Sequence, residues 1–232
     1  MYDTRKVEEK QAELFSVKRP FSEHLSRWVD EALPDKYDHN AFEYTGQPTA
    51  EEFQRALAFQ RERGDTFLKL EGDAPLPDAF GLEASVTWTM VLRGDPGAWP
   101  RNGELRFGRP DLLELEEMEV RHYGPVYGED FSRRNIRRLY EKLEFYGAFL
   151  DGRLVGYCHG FRADGMCCLD GLLVDEAYRH RRIATSLLAH IAEATGDVLF
   201  LHADEDDTPK DMYLQLGFAV TDRLYEYSCA NL

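Results

Sequence analysis

Residues 172–188, LLVDEAYRHRRIATSLL, join the end of an apolar strand to an amphipathic helix through a basic turn. Leu172, Leu173 and Val174 close the strand, and a short acidic turn leads into Arg179, His180, Arg181 and Arg182. The spacing of Ile183, Leu187, Leu188 and Ile191 predicts one apolar helix face, with Gly196 where a C-cap belongs. The charge is unusual. A helix N-terminus carries partial positive charge and ordinarily attracts Asp or Glu, yet three arginines surround this one. Guanidinium groups beside free backbone N–H groups form a site for a phosphate.

Outward from this stretch, the chain as a whole is ordinary for a globular protein. Its 232 residues suffice for one large domain or two small ones, and 43% hydrophobic with 31% charged residues describes a packed, water-exposed fold. No apolar run approaches the ~18 residues of a membrane span. The first residues, MYDTRKVEEKQAEL, lack the apolar core of a signal peptide. Cys158, Cys167, Cys168 and Cys229 show no paired metal-ligand spacing. They read as reduced residues of a cytoplasmic protein, with no metal site expected. A net charge of −15 speaks against nucleic acid as a partner, since phosphate backbones need a basic surface. It suits a cationic substrate such as an amine, and it sets the Arg179–Arg182 island apart from its background.

Taken in order, the first segment reads as charged helix, and Phe21 to Leu33 as a second helix capped by Ser22 and closed by Pro34. Tyr37–Tyr44 turns strand-like. Thr49 and Glu52 form a capping box ahead of a helix that ends near Gly64. Strands are expected at Thr66–Leu70 and Ala84–Leu92, separated by the loop GDAPLPDAFG. Residues 93–103, RGDPGAWPRNG, are dense in Gly and Pro and suggest a boundary. The division expected is an accessory α/β domain over 1–108 and a second domain over 109–232.

The second half reads as a strand at Leu112–Arg121, a helix at Asp130–Phe145, and short strands at Tyr146–Leu150, Val155–Phe161 and Met166–Val174. Asp151-Gly152 and Asp164-Gly165 supply the hairpin turns. The Ile183 helix, a strand at Val198–His202, a helix at Pro209–Leu216 and a strand at Ala219–Tyr227 follow. The fold class expected is therefore α/β (α+β): a mixed, mostly antiparallel sheet flanked by helices.

Arg179-His180-Arg181-Arg182-Ile183-Ala184 resembles the acetyl-CoA-binding loop of the GNAT N-acetyltransferase superfamily, Gln/Arg-x-x-Gly-x-Gly/Ala between a strand and a helix. Arg179 and Ala184 fit the motif, while Arg182 stands where it has its first Gly. Met212-Tyr213-Leu214-Gln215-Leu216-Gly217-Phe218 is similar to the family's Leu-Tyr-x-x-x-Gly-Phe signature, and the element order over about 110–232 resembles the family core. A short likeness between Gly81-Leu-Glu-Ala-Ser-Val-Thr and Gly217-Phe-Ala-Val-Thr suggests that the first half is a degenerate copy of the same fold lacking the phosphate loop.

The resemblance implies acetyl-CoA as cosubstrate, held by Leu172, Leu173 and Val174 and by the loop Arg179, His180, Arg181, Arg182, Ile183, Ala184 and Thr185. It implies Tyr213 as the proton or hydrogen-bond donor to the leaving thiolate and Asp170 as the base that frees the amine. Relay through water to Glu117, Glu119 or His202 is the other route to a base, and the acidic loop Asp204–Asp207 faces a cationic acceptor. Transfer to a primary amine of a small molecule or a protein follows, with a homodimer compatible. The alternative is a non-catalytic protein of the same fold that binds CoA or acyl-CoA as a sensor or scaffold.

Overall fold

The computed structural model describes residues 2–230. The elements run α1 (Thr4–Ala12), β1 (Val17–Pro20), β2 (Leu25–Val29), β3 (Phe42–Tyr44), α2 (Ala50–Arg63), β4 (Phe67–Gly72) and β5 (Glu83–Leu92). They continue with β6 (Arg106–Gly108), α3 (Leu112–Tyr127), α4 (Glu129–Lys142), β7 (Glu144–Leu150), β8 (Arg153–Ala163) and β9 (Met166–Val174). The last are α5 (Ile183–Thr195), β10 (Val198–Asp204), α6 (Pro209–Gln215) and β11 (Phe218–Ala230). Strand pairs are mostly antiparallel, so the mixed α/β class expected from the sequence is the one found. Among the described residues no helix is long and apolar enough to cross a membrane.

Two compact units share these elements, and each draws on three segments of chain. The first takes Met1–Val7, Val91–Leu201 and Asp211–Ala219; the second takes Glu8–Met90, His202–Lys210 and Val220–Leu232.

In the second unit the strand order is β1-β2-β3-β4-β11-β5. Helix α2 is a crossover between the parallel neighbours β3 and β4, and its capping box is present as read: Thr49 Oγ1 accepts from Glu52 N, and Glu52 reaches back to Thr49 N. Gly64 ends it in the left-handed conformation that glycine adopts without strain (φ 76°). The chain's last strand, β11, lies antiparallel on β4, with Tyr225 opposite Gly72 and Ala230 opposite Phe67. Leu25, Phe42, Phe53, Leu68 and Leu70 form the core here. The helix expected over Phe21–Leu33 is instead strand β2. Its apolar residues fit a helical face equally well, but Ser22 Oγ donates to Glu52 (2.6 Å) rather than capping a helix, and the backbone pairs on both sides, with β1 and β3.

The first unit has the order β10-β9-β8-β7-β6. Both Asp-Gly hairpins form, with positive φ at Asp151, Gly152, Asp164 and Gly165, the signature of the turn that matches strand twist. The strand expected at Leu112–Arg121 is corrected to helix α3. Leu113 and Leu115 alternate with acids, which mimics a strand; yet the Asp111 side chain caps the segment by accepting from Leu113 N (2.8 Å), and Leu115, Met118 and Glu119 share a buried face at helical spacing. Helix α4 stops at Lys142, short of the expected Phe145, because Leu143 turns extended and Phe145 enters β7.

Candidate active site

Arg182 occupies the N-cap of α5 with φ 60° and ψ 24°, and His180 also has positive φ (63°). A left-handed conformation costs an L-residue about 1–2 kcal/mol, so the turn holds at Arg182 the shape for which a glycine would be the unstrained choice. No side chain caps the helix, and its first turn contains no acid. The first intrahelical bond runs from Ser186 N to Arg182 O (3.0 Å). The N–H groups of Ile183, Ala184 and Thr185 therefore form the open first turn that every α-helix leaves unsatisfied. Arg179, His180, Arg181 and Arg182 are all exposed around it. Arg179 pairs with Glu176 (3.5 Å) and Arg181 lies over the Tyr178 ring (5.3 Å), while Arg182 makes no ion pair among the described residues.

The Gly/Pro-rich stretch supports this turn. Asn102 Nδ2 donates to Arg181 O (3.2 Å), Asn102 N to Ser186 Oγ (2.8 Å), and Ser186 Oγ to Arg182 O (2.7 Å). Arg101 forms a bidentate pair with Glu193 on α5 (2.9 and 2.5 Å). Gly156 on β8 admits α5: a methyl there would meet Leu173 O at 2.9 Å and Ile183 Cγ2 at 3.2 Å.

Strand β9 pairs in parallel with β10 only from Met166–Leu169 against Val198–Leu201, then runs on to Val174 through a bulge. Opposite it, β8 pairs His159 with Asp170 and Tyr157 with Leu173, so one residue of β8 faces two of β9. Gly171 takes the bulge (φ 60°), and a methyl on it would stand 2.3 Å from His159 Nε2. Both its dihedral and its crowding call for glycine. Asp170, the sequence's candidate base, is exposed at this bulge and accepts from Gly171 N (2.7 Å). Leu173 is buried; Leu172 and Val174 are half-buried.

Below the bulge the face of β8 that carries Tyr157 and His159 meets α3. Both residues are buried, and Tyr157 OH donates a short hydrogen bond to Glu119, itself buried. Burial, with the charges of Glu119 and Asp170, pushes the Tyr123 phenol up to about 12. The same causes hold Tyr157 far above the usual phenol range. Both remain neutral hydrogen-bond donors at neutral pH. Of this group the sequence singled out Asp170 and Glu119. Tyr123, Tyr157 and His159 went unread because they come from α3 and β8, and the misassigned strand hid the i, i+4 relation of Glu119 to Tyr123.

Tyr213 lies on α6, buried and edge-on to Phe218 (5.7 Å between ring centroids). Trp99 stacks on Phe218 (6.3 Å) and donates to Leu216 O (3.0 Å). Glu117 is exposed on α3 and lies outside the Glu119 group. His202, named as a relay, is in the second unit and bonds Glu8 (3.0 Å).

Residues 112–218 match the acetyltransferase (GNAT) family. Among solved structures, a functionally unknown conserved protein from Staphylococcus epidermidis is similar over 96% of this chain and 97% of that chain, at 18% identity and TM-score 0.80. A GCN5-related N-acetyltransferase from Kribbella flavida is similar over 97% and 93%, at 15% identity and TM-score 0.67. A tandem GNAT protein from the clavulanic acid biosynthesis pathway is similar over 89% and 78%, at 16% identity and TM-score 0.58. These likenesses concern the fold and extend it to the N-terminal half. No curated protein matches the chain. Residues 112–218, which hold the β9 bulge and the open N-terminus of α5, are thus the part of this chain that matches the acetyltransferase (GNAT) family.

Proposed function

We propose that the protein is an acetyl-CoA-dependent N-acetyltransferase that passes the acetyl group directly to a primary amine. The observation that carries this reading is the uncapped N-terminus of α5 with its four exposed basic residues, in a domain of acetyltransferase ancestry. The N–H groups of Ile183, Ala184 and Thr185, with Arg179, His180, Arg181 and Arg182 around them, bind the cosubstrate's pyrophosphate. The backbone of Leu172, Leu173 and Val174, past the end of the β9–β10 pairing, binds the pantetheine arm as a strand would. An alkylammonium of pKa ~10.4 is deprotonated in fewer than about one molecule in a thousand at pH 7, so a base is required. Asp170 takes that proton. The amine nitrogen attacks the thioester carbonyl, the C–S bond breaks, and the Tyr213 phenol donates to the departing thiolate. Residues 1–108 then serve as an accessory domain to the transferase of 109–232; the start of the family match at residue 112 supports this division, while the compact units divide the chain elsewhere, with Val91–Leu201 in the first and Val220–Leu232 in the second.

The competing reading, a CoA-binding protein without turnover, is favoured by the burial of Tyr213 (8% exposed). Tyr213→Phe separates the two in an assay of CoA release with an amine panel. A transferase loses about 10²-fold or more in kcat. A protein that shows no amine-dependent CoA release before or after the change is a binder.

A further inference from the structure

Left-handed Arg182 sits between two peptide groups whose carbonyls are both tied down. Arg181 O accepts from Asn102 Nδ2 (3.2 Å), and Arg182 O accepts from Ser186 Oγ (2.7 Å) as well as from Ser186 N (3.0 Å). The N–H and C=O of a planar trans peptide point in opposite directions. Fixing Arg181 O therefore aims the N–H of Arg182, and fixing Arg182 O aims that of Ile183. The same bonds keep two partly negative carbonyl oxygens turned away from the side on which those N–H groups receive an anion.

Asn102 is itself held in place. Its backbone N–H donates to Ser186 Oγ (2.8 Å) and its Oδ1 accepts from Glu104 N (3.0 Å), so Asn102 and Ser186 form one linked pair. The strap of residues 93–103 that carries Asn102 is tied down along its length. Arg93 N and Gly94 N donate to Gly217 O (2.9 and 3.0 Å), Trp99 Nε1 to Leu216 O (3.0 Å), and Arg101 to Glu193 and Pro96 O. All of these residues belong to the first unit. A side chain locked by its own supports can hold a neighbouring group in a fixed direction. The strap lies ahead of residues 112–218, outside the family match.

We infer that Asn102 and Ser186 are positioning residues of the coenzyme site: through Arg181 O and Arg182 O they aim the N–H groups of Arg182 and Ile183 at the pyrophosphate. The inference rests on the N-acetyltransferase reading and deepens it, and it makes residues 93–103, which the sequence marks as a boundary, part of that site. Thr195, at the far end of α5, supplies a control of the same chemistry. Its Oγ1 donates to Ile191 O four residues back (2.8 Å) and accepts from Asp197 N (3.3 Å), as Ser186 Oγ does with Arg182 O and Asn102 N. Acetyl-CoA is titrated calorimetrically into the full chain as wild type, Asn102→Ala, Ser186→Ala and Thr195→Ala, below the unfolding transition of each. Asn102→Ala and Ser186→Ala should each weaken binding about three- to tenfold, what one hydrogen bond is worth. Thr195→Ala should leave it unchanged, whatever it does to Tm.

Wild-type affinity in Asn102→Ala, or in a folded Ser186→Ala, overturns the positioning role even where acetyl-CoA binds the wild type normally. So does a loss in Thr195→Ala equal to theirs, which would mark a general loosening of α5. Where Ser186→Ala fails to fold, Asn102→Ala, at a half-buried position, decides alone. A wild type that does not bind acetyl-CoA removes the coenzyme reading itself, and the positioning role falls with it.

Discussion

The chain contains two strand–helix–strand crossovers of the same kind, β3–α2–β4 and β9–α5–β10, each joining parallel neighbours. Their helix N-termini are opposites. At α2 the end is closed from within: Thr49 caps it, Glu51 and Glu52 occupy the first turn, and Glu52 accepts from Thr49 N (2.8 Å), Ser22 Oγ (2.6 Å) and His24 N (3.0 Å). Those bonds, the one from Ser22 foremost, hold the Glu52 carboxyl well below its usual range. At α5 the first turn has no acid and no side-chain cap, and arginines lead into it, the last of them at the N-cap. A helix N-terminus needs negative charge nearby. The first crossover carries its own anion, and under the proposed function the second takes one from the coenzyme. The N-terminal crossover has a carboxylate where the second has its basic turn.

The most severe way to break this contrast is Glu52→Ala. It strips several donors of a buried acceptor at once, and with ~1–3 kcal/mol for each group left unsatisfied the loss is on the order of 3–5 kcal/mol, read by urea denaturation. Coenzyme binding should persist wherever the protein stays folded. Unchanged stability would show that Glu52 does not close the α2 end.

A second charge group in the same unit sharpens the point that its charges are met internally. Lys69 is buried among Asp38 (2.9 Å), Glu226 (3.3 Å) and Glu71 (3.4 Å). Burial opposes its charge, but the carboxylates outweigh burial and raise its pKa. Glu71 is pushed up to about 7 from 4.5 by burial above all, with Lys69 opposing the rise and Glu226 adding to it. A carboxyl whose folded pKa is raised contributes stability that is complete below its unfolded pKa and is lost as pH rises through the folded value. The wild type should therefore lose on the order of 2–3 kcal/mol from this group between about pH 4.5 and 7. Glu71→Gln should flatten that slope and melt higher at pH 8. The same slope in both proteins would contradict the assignment.

The mildest change is at α5 itself. Arg182→Gly relieves a left-handed arginine at the entropic cost of a glycine, for a net gain of about 0.5–1 kcal/mol. A fall in stability would mean that the arginine side chain holds the turn.

How far the sequence foretold this tracks how local the interactions are. The α2 capping box, the two Asp-Gly hairpins and the Leu172–Leu188 strand–turn–helix are set by neighbours a few residues apart, and all could be read. Segments whose partners are remote could not. Residues 25–29 are a strand because β1 and β3 pair with them; residues 112–121 are an exception, because their cap and buried face are local and the leucine–acid alternation hid them. The supports of the α5 turn were illegible for the same reason, since Asn102 and Arg181 lie 79 positions apart. The positive φ at Arg182 ran against its residue type. The Glu119–Tyr157–Asp170 group is assembled from three elements by the β9 bulge, which no short pattern announces.

Under the proposed function the α5 N-terminus takes the phosphate of a coenzyme. Thermal unfolding of the wild type and of Arg179→Ala/Arg182→Ala, each with acetyl-CoA, CoA or ATP, tests it directly. At 100 times its Kd a ligand adds ~2.7 kcal/mol, a rise in Tm of about 5–10 °C for a protein of this size. Stabilisation by acetyl-CoA and CoA and not by ATP, lost in the double variant, is the predicted result. A wild-type Tm that does not move with either coenzyme would contradict it.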